Sequence, residues 1–64
     1  MKVAYTRETD SLTLALREET IKESDEIRPN IIADFGYDGG LVWIEILQAS
    51  KMVDKTQEIH VLVS

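Results

Sequence analysis

Cysteine is absent from the 64 residues, which excludes disulfides and thiolate metal sites. There is a single histidine, His60, so a site built from several imidazoles is excluded too. No stretch approaches the roughly 20 apolar residues that a membrane-spanning helix needs. The opening residues, Met1-Lys2-Val3-Ala4-Tyr5-Thr6-Arg7, lack the long apolar core of a secretory signal. A cytoplasmic protein with no membrane partner is therefore expected. Basic residues are also few, seven against twelve acidic ones, for a net charge of -5. They are scattered along the chain, without the basic patch that nucleic-acid readers carry. Nucleic acid is not an expected partner, and a basic protein suits this field better.

What is present is the material of one folded domain. The hydrophobic fraction is 44%, ordinary for globular proteins, and residues 1–64 are read as a single domain. A chain this short withdraws only about 60% of its unfolded surface from water. Small domains often add a cross-link, a metal or a second subunit. With disulfides excluded, good packing or self-association has to supply that support.

The dominant periodicity is two, the signature of strands. Val3 and Tyr5 alternate with Lys2, Ala4 and Thr6, then Arg7-Glu8-Thr9-Asp10 marks a turn. Leu12, Leu14 and Leu16 alternate with polar or small residues and predict a half-buried strand that pairs with the first as a hairpin. Glu18 to Glu26 is the most acidic stretch and reads as a loop leading into a polar edge strand, where charge discourages open-ended pairing. Pro29 cannot donate to a ladder, which places it at a break between strands. Asn30–Phe35 is the next strand. Asp38-Gly39 is the strongest turn cue, and Leu41–Leu47 is the most apolar strand, with apolar residues on both faces around Glu45. Beyond it, Ala49, Met52 and Val53 fall at helical spacing, predicting a short helix over about 49–56. Ile59–Val63 is rich in β-branched residues and predicts a last strand.

The expected fold is thus α+β, mostly β: a small antiparallel sheet of five or six strands, arranged as a β-meander, with one short helix near the C-terminus. The expected core is Val3, Tyr5, Leu12, Leu14, Leu16, Ile32, Val42, Ile44, Ile46 and Val61.

One succession of residues is distinctive. Tyr5, Asp10-Ser11-Leu12, Leu14 and Leu16 are followed by Glu23-Ser24, Glu26-Ile27 and Ile32-Ala33-Asp34-Phe35. Then comes Asp38-Gly39-Gly40-Leu41-Val42-Trp43-Ile44-Glu45-Ile46-Leu47-Gln48-Ala49-Ser50. Over about residues 1–53 this resembles a small bacterial family, the domain-of-unknown-function family numbered 2283. The block from Ile44 to Ser50 after the Asp-Gly turn is its most specific part. Trp43 stands where the family usually has glycine, and Gln48 where aspartate is common. The resemblance implies a compact β-rich fold with a short helix and no established activity. Similar proteins are often encoded beside small toxin-like domains, which implies an antitoxin-like neutralising role as one alternative.

Among the side chains that bear chemistry, Asp34 and Glu45 lie on the two arms of the Asp38-Gly39 hairpin. Converging in a cleft, they could bind a divalent cation or do acid–base work. Alternatively they accept turn or loop N–H groups, or pair with Arg17 or Arg28. Gly36, Gly39 and Gly40 lack the Lys-Ser/Thr and following helix of a phosphate loop. His60 has no Ser or Cys nucleophile placed beside it by any recognisable motif, and reads as a strand histidine. Trp43 is either core or the centre of an interface, where Trp is enriched.

Two classes of function remain. The leading one is a non-enzymatic interaction module, with no catalytic residue and no cofactor or metal. It would self-associate as a homodimer through Leu41, Trp43 and Leu47, and its acidic stretch could meet a basic protein. The rival is a small carboxylate- or metal-dependent hydrolase using Asp34 and Glu45.

Overall fold

The structure, a computed structural model, describes residues 1–52. Among them are five strands, β1 (Lys2–Thr6), β2 (Ser11–Ala15), β3 (Ile21–Arg28), β4 (Ile31–Gly36) and β5 (Leu41–Ile46), followed by a one-turn helix, α1 (Ala49–Met52). The expected strand over Ile59–Val63, the end of the expected helix, and the residues His60 and Val61 lie outside the described residues.

All neighbouring strands are antiparallel, and their order is β1-β2-β5-β4-β3. The expected meander therefore holds only in two pieces, the β1–β2 hairpin and the run β3–β4–β5. β5 returns to lie against β2, so β2 to β5 follow a Greek-key order. The physical reason is the composition of β5. A sequential meander would leave this most apolar strand at or near an edge, whereas the observed order gives it two neighbours and the middle of the sheet.

The price of that order is a crossover. Leu16–Thr20 must carry the chain from β2 to the far edge, three inter-strand spacings of about 4.8 Å each, which five nearly extended residues can reach. β2 accordingly ends at Ala15, earlier than the alternation of leucines suggests. Leu16 N and Arg17 N both donate to Val42 O, at 2.8 and 3.3 Å, and Leu16 is left 37% exposed. Leu16 is thus not a core residue. Arg17 then spans the β4–β5 turn, donating from Nη1 and Nη2 to the two carboxylate oxygens of Asp38 at 2.8 and 3.0 Å. This is the bidentate geometry in which Arg–carboxylate pairs are strongest. Gly40 makes room for it, since a Cβ there would stand 2.8 Å from Arg17 Nη2.

The turns follow their residues. Gly39 takes φ 80°, and Asp38 Oδ1 accepts from Gly40 N at 2.9 Å. Between β3 and β4, Pro29 precedes Asn30, which sits in the left-handed region at φ 67°, where Asn is tolerated.

Register sorts the side chains into two faces, because residues opposite one another across a ladder share a face. Val3, Leu14, Ile44 and Ala33 form one row across four strands, and Tyr5, Leu12, Ile46 and Ile31 the next. The other face carries the row Lys2, Ala15, Trp43, Asp34, Ser24 and the row Ala4, Thr13, Glu45, Ile32, Glu26. Ile32, expected in the core, therefore sits on the carboxylate face and is half-buried. Leu12, Ala33, Val42 and Ala49 are the buried apolar residues, while Val3, Tyr5, Leu14, Ile44 and Ile46 are only half-buried. Ala33 and Ala49 were not anticipated, since alanine carries little hydrophobic signal.

Leu12 is 2% exposed, so Leu12→Ala is expected to cost about 2–5 kcal/mol in urea denaturation. Leu16→Ala is expected to cost less than Leu12→Ala, since Leu16 is 37% exposed and gives up less buried apolar surface.

Candidate functional site

Two hydrogen-bonded clusters contain most of the polar residues that make the sequence distinctive. The first lies where the β1–β2 turn meets α1. Asp10, at φ 51°, presents its main-chain carbonyl to Ala49 N at 2.8 Å. Its carboxylate accepts from Ser50 N at 3.0 Å, from Ser50 Oγ at 2.6 Å and from Tyr5 OH at 2.6 Å. Hydrogen bonds from the Ser50 and Tyr5 side chains, in that order, hold the Asp10 carboxyl below its ordinary value. The segment Ala49-Ser50 is thus tied to a turn forty residues earlier. With every donor a protein group, the cluster is a structural clamp.

The second cluster is at the centre of the sheet. Asp34 on β4 is opposite Trp43 on β5, and Glu45 is opposite Ile32, so the two carboxyl groups are diagonal neighbours on one face. They do come together. Asp34 is 1% exposed. Its Oδ1 accepts from Ser24 Oγ on β3 at 2.5 Å, while Oδ2 is buried with no conventional donor. Glu45 is pushed up to about 7, first by its hydrogen bond to Asp34, then by burial, then by the like charge of Asp34.

The alternative pairing with arginine does not occur. Arg17 is committed to Asp38, whose carboxyl it holds well below the usual carboxylate range. Arg28 donates to the carbonyl of Ile27 at 2.8 Å. The signal that could have found the pairing is the hairpin itself, with an acid on each arm. Its register, which includes a shift between Asp34 and Phe35, is what decides the matter. Among the described residues no group of three or more His, Cys, Asp or Glu could hold a metal ion.

Trp43 is 37% exposed and walls an open cleft with Met1, Lys2, Ala15, Leu16 and the crossover residues through Thr20. Leu41 and Leu47 are half-buried and do not line that cleft. The register shift pairs Leu41 with Phe35, taking it out of strict alternation with Trp43.

These features define a class: a small single-sheet domain with a turn–helix clamp, a central carboxyl pair and one exposed tryptophan surface. The chain belongs to the family described as protein of unknown function (DUF2283), whose match runs over residues 2–50. That span contains both clusters and all five described strands. No curated protein and no solved structure matches the chain. Among the described residues no helix is long and apolar enough to cross a membrane.

Removing the Ser24 hydroxyl leaves a buried oxygen of Asp34 without its donor. Ser24→Ala is expected to cost about 1–3 kcal/mol, the penalty for an unsatisfied buried acceptor, measured by urea denaturation at pH 6.

Proposed function

We propose that this domain is a non-enzymatic interaction module that self-associates as a homodimer through the surface around Trp43. The observation that supports it is the exposure of Trp43 on the central strand of the sheet, beside two other exposed apolar residues, Leu16 and Met1. Buried aromatic anchors of this kind dominate interface energetics. The occupant is a second copy because the cleft is of mixed charge. Lys2 and Arg17 line it together with Glu18 and Glu19. A two-fold axis can set the bases of one cleft against the acids of the other, the self-complementary arrangement of a closed dimer. A partner of one sign would leave half of that rim opposed.

A second reading is favoured by the far edge of the sheet. Glu23, Asp25 and Glu26 are all exposed on β3, an acidic edge suited to docking a basic protein, as an antitoxin-like neutralising partner would. The hydrolase reading loses its footing at Asp34, because a carboxylate 1% exposed is out of reach of a substrate. Compartment follows from none of this geometry, and a cytoplasmic location remains part of the proposal.

Sedimentation equilibrium at micromolar concentration is expected to give a dimer, and Trp43→Ser to shift it toward monomer with the sheet retained by circular dichroism. A wild-type monomer at high concentration would refute self-association. Binding of a basic protein that is lost on charge reversal at Glu23 and Glu26 would favour the β3 edge instead.

A further inference from the structure

We propose that Asp34 and Glu45 hold one proton between them, and that this proton keeps the centre of the β4–β5 pair closed, so that the domain loosens as pH rises through neutrality. The inference stands apart from self-association and concerns the fold of each chain.

The geometry carries it in three steps. Asp34 is almost wholly withdrawn from water, so both of its oxygens need donors. Ser24 supplies one, at Oδ1. Oδ2 has no donor in the structure, and the carboxyl of Glu45, diagonal to Asp34 on the same face, is hydrogen-bonded to the Asp34 side chain. If both acids are ionised, two negative charges adjoin and a buried oxygen is bare. If Glu45 is protonated, its O–H donates to Oδ2 and both problems vanish. The carboxyl that is raised is that of Glu45, which assigns the proton to it.

Among the described residues, no other group on this face is hydrogen-bonded to Oδ2. From β2 the pair faces Thr13 and Ala15, from β5 Trp43, and from β4 Ile32. On β3 the neighbours are Ser24 and Glu26. Glu26 is a third acid, engaged with Asn30 N at 3.4 Å, and it adds negative charge. Lys2, on β1, is the cation of this face, and two strands separate it from Asp34 along their shared row. The single ion pair among the described residues, Arg17–Asp38, lies at the turn.

The sign follows from linkage. The Glu45 carboxyl is raised in the folded chain from 4.5 to about 7. Between those values the folded chain binds more protons than the unfolded one. The stabilisation is complete below the unfolded value and is lost as pH rises through the folded one. The other two acids shifted among the described residues, Asp10 and Asp38, are shifted the other way and weaken the fold only in acid.

The test is a set of thermal melts at fixed protein concentration between pH 5 and pH 8.5, with carboxyl carbon NMR of Glu45. The wild-type midpoint is expected to fall by about 4–8 °C, the response of a domain this small to a tenfold loss in folding equilibrium or somewhat less. Glu45 is expected to titrate near neutrality. Glu45→Gln keeps a donor for Oδ2 that cannot ionise, and its melts are expected to lack that fall. His60 is present in both proteins, so the difference between their profiles isolates Glu45. Asp34→Asn should return the Glu45 signal to the ordinary carboxylate range even where stability drops. Wild-type Glu45 titrating in that ordinary range, or parallel profiles for wild type and Glu45→Gln, would overturn the proposal. Millimolar Mg²⁺ displacing the Glu45 titration at pH 6 would overturn it in favour of a cation site.

Discussion

The position of Leu41–Ile46 between two strands from distant parts of the sequence is the constraint on which the other features depend. A strand with apolar residues on both faces has to be flanked, and here its flanks are β2 and β4. That choice compels the crossover from β2 to β3. The crossover in turn compels the Arg17–Asp38 clamp over the β4–β5 turn, and the glycine at position 40 that lets the guanidinium approach. It also puts Trp43 and Glu45 in the middle of a sheet face, where a tryptophan has no strand edge to hide behind and a carboxyl has no bulk water on all sides.

The ends of the sheet are managed by different chemistry. At the β1–β2 turn, Asp10 takes three donors into its carboxylate and one into its carbonyl, which docks a helix of four residues that could not persist by its own propensity. At the far edge β3 is long, acidic and broken in register near both ends, between Ile21 and Glu23 and between Glu26 and Arg28. Charges and bulges are the usual means of keeping an edge from pairing with other chains. The proposed self-association uses the face centred on Trp43 and leaves this protected edge free.

Much of the architecture was legible from local signals. Period-two alternation located β1, β2, β4 and β5, the Asp38-Gly39 pair located the turn, and Pro29 marked its break, because each of these depends only on neighbouring residues. An edge strand before Pro29 is expected too, but β3 begins at Ile21, inside the acidic stretch that reads as loop. The order of strands was not legible, because it depends on which distant segments bury most together. The end of β2 was missed for the same reason: Leu16 continues the leucine alternation, yet the chain leaves the sheet there to begin its crossover. Ala33 and Ala49 are buried by where they stand, not by what they are. Asp34 and Glu45 could be singled out as acids on the arms of one hairpin, but their meeting depends on a register shift that no local pattern displays.

That a domain so small should bury an acid at all calls for a reason, since the same volume of leucine would pack without any demand for donors. Register supplies one. Among the described residues several apolar side chains of both faces, Val3, Leu14, Ile44 and Ile32 among them, are only half-buried, so hydrophobic contrast between the faces is weak, and weak contrast leaves strands free to slip. A slip of β4 by one residue would move Asp34 into the row of Leu14 and Ile44, away from the Ser24 hydroxyl and the Glu45 carboxyl, with both oxygens unsatisfied. Ala33 would face Glu45 instead of Ile44, and Phe35 would take the place beside Trp43. The penalty for that exchange falls on one residue and is large, whereas the loss of apolar contact is spread thinly. Ser24, Asp34 and Glu45 stand on three adjacent strands, β3, β4 and β5. A polar contact that exists in a single register therefore locks three strands at once, in a fold whose apolar surfaces alone would specify them poorly.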